Sequence, residues 1–147
     1  MTTDSHHLYV HVPFCRLVCA YCDFVTVGGR AADMPRYVAA LHGELAMRPA
    51  RGGLQTVYFG GGTPSLLPPD AVAGFLSAAE TRWRATPGEV TLEANPSARE
   101  GPDWAGLRAA GVNRISLGVQ SLRDADLVAL ARGHSAREAI AAYMAAR

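Results

Sequence analysis

Charge is scarce in this chain, and cysteine is scarcer. Of 147 residues, only 18 % are Asp, Glu, Lys or Arg, and the formal net charge is +1 at pH 7. No Lys/Arg run is long enough to form the basic footprint of a nucleic-acid-binding protein, which sets that class aside. No apolar stretch approaches the roughly 18 residues of a membrane span, so no transmembrane segment is expected. The opening MTTDSHHLYVHVPFC has no basic start followed by an apolar region, which argues against a secretory signal peptide. What is plentiful is apolar side chain, 49 % of residues. That supports a packed core and argues against disorder. The length suits one domain.

The cysteines are three, and all fall in FCRLVCAYCDF, residues 14–24. Cys15, Cys19 and Cys22 form a Cys-x3-Cys-x2-Cys pattern with no partner downstream. An odd, clustered set cannot be a self-contained disulfide framework. Without a signal peptide it points to a reducing compartment, read as the cytoplasm, and to a metal or redox role. Three readings stand side by side. Buried cysteine can act as a small hydrophobe, but Arg16, Ala20 and Asp23 are poor neighbours for that. Zinc takes thiolates, with His6 or His11 as a fourth ligand, although no second knuckle is present. An iron–sulfur cluster takes thiolates as its standard ligands. Three thiolates on a four-iron cluster leave one iron open to a small molecule.

Around this loop the chain reads as strand, turn and helix repeated. Residues 8–12 (LYVHV) alternate, with Tyr9 and His11 on one face, and Pro13 ends the run. A helix follows the cysteines, with Asp33 as its cap and Met34, Val38, Leu41 and Leu45 at helical spacing. TVYF, 56–59, reads as a buried strand broken by GGGTPSLLPP. Asp70 then caps a helix with Val72, Phe75, Leu76, Ala79 and Trp83 on one face. EVTLE, 89–93, is a third strand, followed by ANPS and a short helix around Trp104 and Leu107 that ends at Gly111. NRISLGV, 113–119, is a fourth, followed by helical segments around 124–131 and from 135, where Ser135 and Glu138 form a capping box. The pattern predicts an α/β fold of about four βα units with parallel strands. Four units fall short of a closed (βα) barrel, so a partial TIM-barrel-like core is expected, with residues 1–147 the N-terminal part of a larger domain. The cysteine loop, the glycine triplet, Glu93 and Gln120 then sit at four successive strand ends, where parallel α/β sheets bind ligands.

The cysteine motif preceded by YVHVPF and followed by DF resembles that of the radical SAM enzymes. VYFGGGTPS (57–65), TLEANP (91–96), NRISLGVQS (113–121) and LARGH (130–134) narrow the resemblance. They are similar to the branch holding oxygen-independent coproporphyrinogen III oxidases and HemW-type heme chaperones. The resemblance implies a 4Fe-4S cluster on Cys15, Cys19 and Cys22, with S-adenosyl-L-methionine chelating the open iron and cleaved to a 5′-deoxyadenosyl radical. It implies that Gly61, Gly62 and Thr63 touch the methionine end of that cofactor. Glu93, Gln120 and Arg132 would contact it elsewhere, Tyr21 would stack near its adenine, and Tyr9 would belong to the same site. His6, His7, His42 and His134 read as surface or structural residues. His11 is either a core histidine or a substrate-side proton donor.

Within that branch, the resemblance implies a chaperone that binds heme, or another tetrapyrrole, and hands it to client proteins. Two features tilt toward it: the short stretch before Tyr9, and Asp23-Phe24 where the oxidases tend to carry a fourth cysteine. The alternatives are the oxidase itself, which decarboxylates coproporphyrinogen III propionates, and an inactive fragment of either. An isolated chain of this length is expected to be less stable than a longer parent.

Overall fold

The computed structural model describes residues 5–97 and 100–147. Strand β1 (Ser5–Val12) leads into a two-residue strand, β2 (Phe14–Cys15), which pairs with β3 (Val27–Gly28) across the cysteine loop. There follow α1 (Met34–Met47), β4 (Gly53–Gly61), α2 (Pro69–Trp83), β5 (Glu89–Ala94), α3 (Trp104–Ala109), β6 (Arg114–Leu117), α4 (Asp124–Ala129) and α5 (Ala136–Ala146). The main sheet has four strands in the order β1-β4-β5-β6, every pairing parallel. This is the α/β arrangement of about four βα units that the sequence predicts.

The sheet and its helices share one core. Val10, Val12, Leu54, Val57, Phe59, Val90 and Leu92 from the strands meet Val72, Phe75, Leu76, Ala79 and Trp83 from α2, all buried. The helical stripe read from spacing on α2 is the face that packs. Each Val, Leu or Phe among them contributes about 1.5–3 kcal/mol on burial.

Boundaries and caps differ from the sequence reading in instructive places. β1 and β4 begin earlier than expected, at Ser5 and Gly53. Their first residues pair through backbone groups that side-chain alternation does not advertise, and a His7 Nδ1–Thr56 Oγ1 bond of 2.9 Å helps tie them. β6 is shorter than 113–119. Asn113 turns its side chain to β5 instead, accepting from Val90 N at 2.8 Å and donating to Gly88 O at 3.0 Å. Asp33 makes no capping bond; it pairs with Arg30 at 2.6 Å. Asp70 is not the N-cap of α2. That helix starts at Pro69, a residue suited to the first helical position because its missing N–H has no partner there anyway. Asp103, unremarked in the sequence, caps α3 by accepting from Gly106 N at 2.8 Å. The Ser135–Glu138 capping box on α5 is present as expected.

Parallel pairing matters for function because it brings the carboxyl ends of all four strands to one edge. Val12 lies beside Gly61, and Ala94 beside Leu117. The cysteine loop, the glycine segment and the loops after Glu93 and before Gln120 leave from that edge, and the LARGH turn between α4 and α5 folds back to it.

Candidate functional site

The cysteine loop leaves β1 through Pro13 and is fastened at its base. Val27 N donates to Pro13 O at 2.8 Å and Gly29 N to Cys15 O at 3.2 Å. Within the loop, Cys22 N donates to Cys19 O at 3.0 Å, a turn that holds the second and third cysteines near each other. His11 braces the loop from outside. Its Nε2 meets Val25 O at 2.8 Å, so it carries the proton there, and Nδ1 accepts from the Tyr9 hydroxyl at 3.1 Å. Both ring nitrogens are thus engaged in structural bonds, which answers the ambiguity left by the sequence.

The glycine segment lies against the loop's base. Gly62 N donates to Val12 O and Thr63 N to Phe14 O, both at 2.8 Å. Gly61 has φ +117°, a left-handed conformation that disfavours any side chain. Glu93 holds this segment from the neighbouring strand: its carboxylate accepts from Gly61 N at 3.0 Å and from the Tyr58 hydroxyl at 2.6 Å. Glu93 is therefore a cross-strand tie rather than a freely solvated charge.

Arg132, the residue least distinguished by local sequence, has the most partners. Nη1 donates to Cys19 Sγ at 3.2 Å and to the Tyr21 hydroxyl at 3.1 Å; Nη2 donates to Asn95 Oδ1 and Gly118 O, each at 2.8 Å. Its Nε is buried with no hydrogen-bond partner among the described residues. Gln120 stands at the mouth with φ +69°.

These residues surround one open cleft of about 320 Å³, lined by Cys15, Cys19, Tyr21, Cys22, Gly61, Gly62, Thr63, Glu93, Gln120 and Arg132, among others. Every candidate site residue from the sequence is there except Tyr9. Tyr9 is 58 % exposed and lines a separate cavity with His6, Tyr37 and Trp83. It reaches the cleft only indirectly, stacking on Tyr58 at 6.1 Å, the residue that bonds Glu93. Sequence reasoning missed Asn95, Ser116 and Gly118, which also line the cleft. Asn95 lay within a quoted motif, but its role depends on neighbours far away in the chain.

The electrostatics set the Cys15 thiol against ionisation. Burial pushes the Cys15 thiol up, the Thr63 hydroxyl bond at 3.7 Å opposes this, and the nearby Cys22 and Cys19 push it further up. Burial also raises Tyr21, against the pull of Arg132, and raises Glu100 behind the cleft. Among the described residues, no three His, Cys, Asp or Glu side chains converge to hold a single metal ion.

A parallel sheet with a three-cysteine loop and a glycine segment at its carboxyl edge defines a class, and comparison with known proteins names it. The chain belongs to the radical SAM superfamily, whose sequence profile matches residues 9–147. More narrowly, it is 44 % identical over 144 residues to the mouse (Mus musculus) protein "Radical S-adenosyl methionine domain-containing protein 1, mitochondrial", covering 95 % of this chain and 33 % of that protein. It is 42 % identical over 144 residues to heme chaperone HemW of Mycobacterium tuberculosis, covering 92 % and 36 %. It is 39 % identical over 138 residues to HemW of Escherichia coli, covering 90 % and 36 %. Among solved structures, the radical SAM enzyme coproporphyrinogen III oxidase from Escherichia coli superposes with a TM-score of 0.83 at 28 % identity, over 95 % of this chain and 33 % of that one. The chain spans about a third of the length of these relatives.

Proposed function

We propose that Cys15, Cys19 and Cys22 hold a 4Fe-4S cluster, that S-adenosyl-L-methionine binds beside it, and that the protein handles heme as a HemW-type chaperone. One observation supports this most: all three thiols, the glycine segment, Glu93, Gln120 and Arg132 face a single cleft. The donor set fits a cluster better than a lone ion. Thiolates on a cluster each take a different iron, so they need not converge on one point, and these do not. The buried, unpartnered Nε of Arg132 is a donor aimed at no protein group. When bound, the cluster supplies one electron for reductive cleavage of S-adenosyl-L-methionine.

The chain's own residues then bind and orient. The thiols must lose protons to ligate, and at Cys15 burial and the nearby Cys22 and Cys19 resist this, so deprotonation and metal uptake are coupled there. Gly61, Gly62 and Thr63 present backbone at close range to the methionine end. Glu93 keeps that backbone in place. Gln120 offers both a donor and an acceptor at the rim, Tyr21 a ring for the adenine, and Arg132 a fixed positive charge. Tyr9 acts from outside, by supporting Tyr58 and His11.

The chaperone reading is favoured over the oxidase by the higher identity to the HemW proteins, 42 % and 39 %, than to the oxidase structure, 28 %. Phe24 also stands two residues after Cys22 where the oxidases tend to place a cysteine, and it is 72 % exposed at the cleft. We further read residues 1–147 as the N-terminal part of a longer protein, since the relatives are covered only to about a third, and the clustered free cysteines favour a reducing compartment such as the cytoplasm. Heme ligands and client-protein contacts would lie in the remainder.

Anaerobic reconstitution with iron and sulfide tests the site. The expected result is about four irons and four sulfides per chain, with the EPR signal of the reduced protein changed by S-adenosyl-L-methionine. Replacing Cys15, Cys19 and Cys22 together with Ser abolishes uptake. Stoichiometric zinc without sulfide overturns the reading. Heme titration against a coproporphyrinogen decarboxylation assay separates the chaperone from the oxidase.

A further inference from the structure

Asn95 lies just past the end of β5, and its carboxamide makes three bonds. Nδ2 donates to Thr63 Oγ1 at 3.1 Å and to Glu100 Oε1 at 3.3 Å, while Oδ1 accepts from Arg132 Nη2 at 2.8 Å. Two of these partners each hold a cysteine sulfur. Thr63 Oγ1 donates to Cys15 Sγ at 3.7 Å, and Arg132 Nη1 donates to Cys19 Sγ at 3.2 Å. The result is an unbroken chain, Cys15–Thr63–Asn95–Arg132–Cys19, running across the ends of β2, β4 and β5 to the turn after α4.

With Cys15 as a thiolate, the direction of every bond in it is forced. A guanidinium only donates, so Asn95 must turn its oxygen toward Arg132 and its amide nitrogen toward Thr63. The Thr63 hydroxyl, having accepted that bond, has one proton and points it at Cys15. Both sulfurs therefore act as acceptors, the role of a metal-bound thiolate supported by outer hydrogen bonds. Cys22 Sγ joins no side-chain hydrogen bond among the described residues. Thr63 is 2 % exposed, and a Cβ on Gly118 would come within 3.2 Å of Asn95 Oδ1, so little room exists for the amide to swing away.

We propose that Asn95 is a positioning residue that sets the placement and hydrogen bonding of the Cys15 and Cys19 sulfurs together, leaving Cys22 to be held separately by its loop. This rests on the cluster reading above. It assigns to one neutral side chain the link between two ligands that the cysteine loop itself does not provide.

The test compares wild type, Asn95→Ala and Asn95→Asp after anaerobic reconstitution. Asn95→Ala is expected to lose iron to a chelator about 10- to 100-fold faster than wild type. The metal-free protein should keep its far-UV circular dichroism and melting temperature. The midpoint potential of its cluster should shift lower, because weakened N–H···S bonds no longer favour the more negative reduced state. A purely structural residue would move the melt and leave that midpoint alone. Asn95→Asp still accepts from Arg132 but can donate to neither Thr63 nor Glu100, so its iron release should also be faster than that of wild type. It also carries the test if Asn95→Ala does not fold. Wild-type release rates and an unchanged midpoint in a folded, loaded variant overturn the proposal while leaving the cluster reading intact. Failure of wild type to take up iron and sulfide overturns both.

Discussion

A methyl group added at Gly62 would sit 2.7 Å from the carbonyl oxygens of both Pro13 and Phe14. Backbone on both sides leaves it nowhere to go, so Gly62→Ala must push the glycine segment off the base of the cysteine loop. Overpacking of this kind costs about 1–3 kcal/mol. Gly74 gives the opposite sign: it lies in the interior of α2, with nothing within 4 Å of a Cβ. Gly74→Ala should stabilise by about 0.5–1 kcal/mol, through helix propensity alone. Urea melts of the two variants read both effects. Individual residues were legible in the sequence to unequal degrees. The thiols announce themselves, because few other uses explain three cysteines in that pattern. Arg132 does not, because its four bonds run to residues 14 to 113 positions away in the chain. His11 could be placed on a strand face, but not assigned its two partners.

The turn joining α4 to α5 carries the second half of the site. His134 is 6 % exposed, and its Nε2 donates to Val119 O at 3.1 Å, tying the Arg132 turn to the loop that bears Gln120. Burial lowers the His134 pKa below its ordinary value, with the Val119 bond opposing and nearby Arg132 adding to the shift. The unfolded chain therefore takes up this proton first. Stability from His134 is present above about pH 6.5 and falls as pH drops below it. Glu138 is lowered by its bond to the Ser135 backbone, so its contribution holds above the ordinary glutamate range and is lost in stronger acid. Denaturant melts from about pH 7.5 to about pH 5.5 should show declining stability, with a flatter slope in His134→Gln. The capping box on α5 was legible because both halves lie within four residues of each other. Asp33 holds the N-cap position of α1 as read, but its carboxylate pairs with Arg30 instead of capping, and Asp70 falls inside α2 because Pro69 starts that helix.

Phe59 sits in β4 between β1 and β5, 1 % exposed, with its ring edge-on to Phe75 of α2 at 5.8 Å. Phe59→Ala should cost about 3–5 kcal/mol, since neither the sheet nor the helix can close on the void. Thermal or urea unfolding of the variant checks this. The molecule's order of elements follows from local pattern: apolar strands, glycine or proline breaks, and amphipathic helices repeat along the chain. That pattern, with the requirement that parallel strands share an edge for their carboxyl-end loops, determined the fold class, the cysteine loop and the neighbourhood of the candidate site. It did so because periodicity and ligand chemistry are local properties. Tertiary structure alone decided that Glu93 ties Tyr58 to Gly61, that Tyr9 stands outside the cleft, and that Asn95 joins Thr63 to Arg132. Each depends on the register between strands and on side chains meeting across long sequence separations, which no run of neighbouring residues encodes.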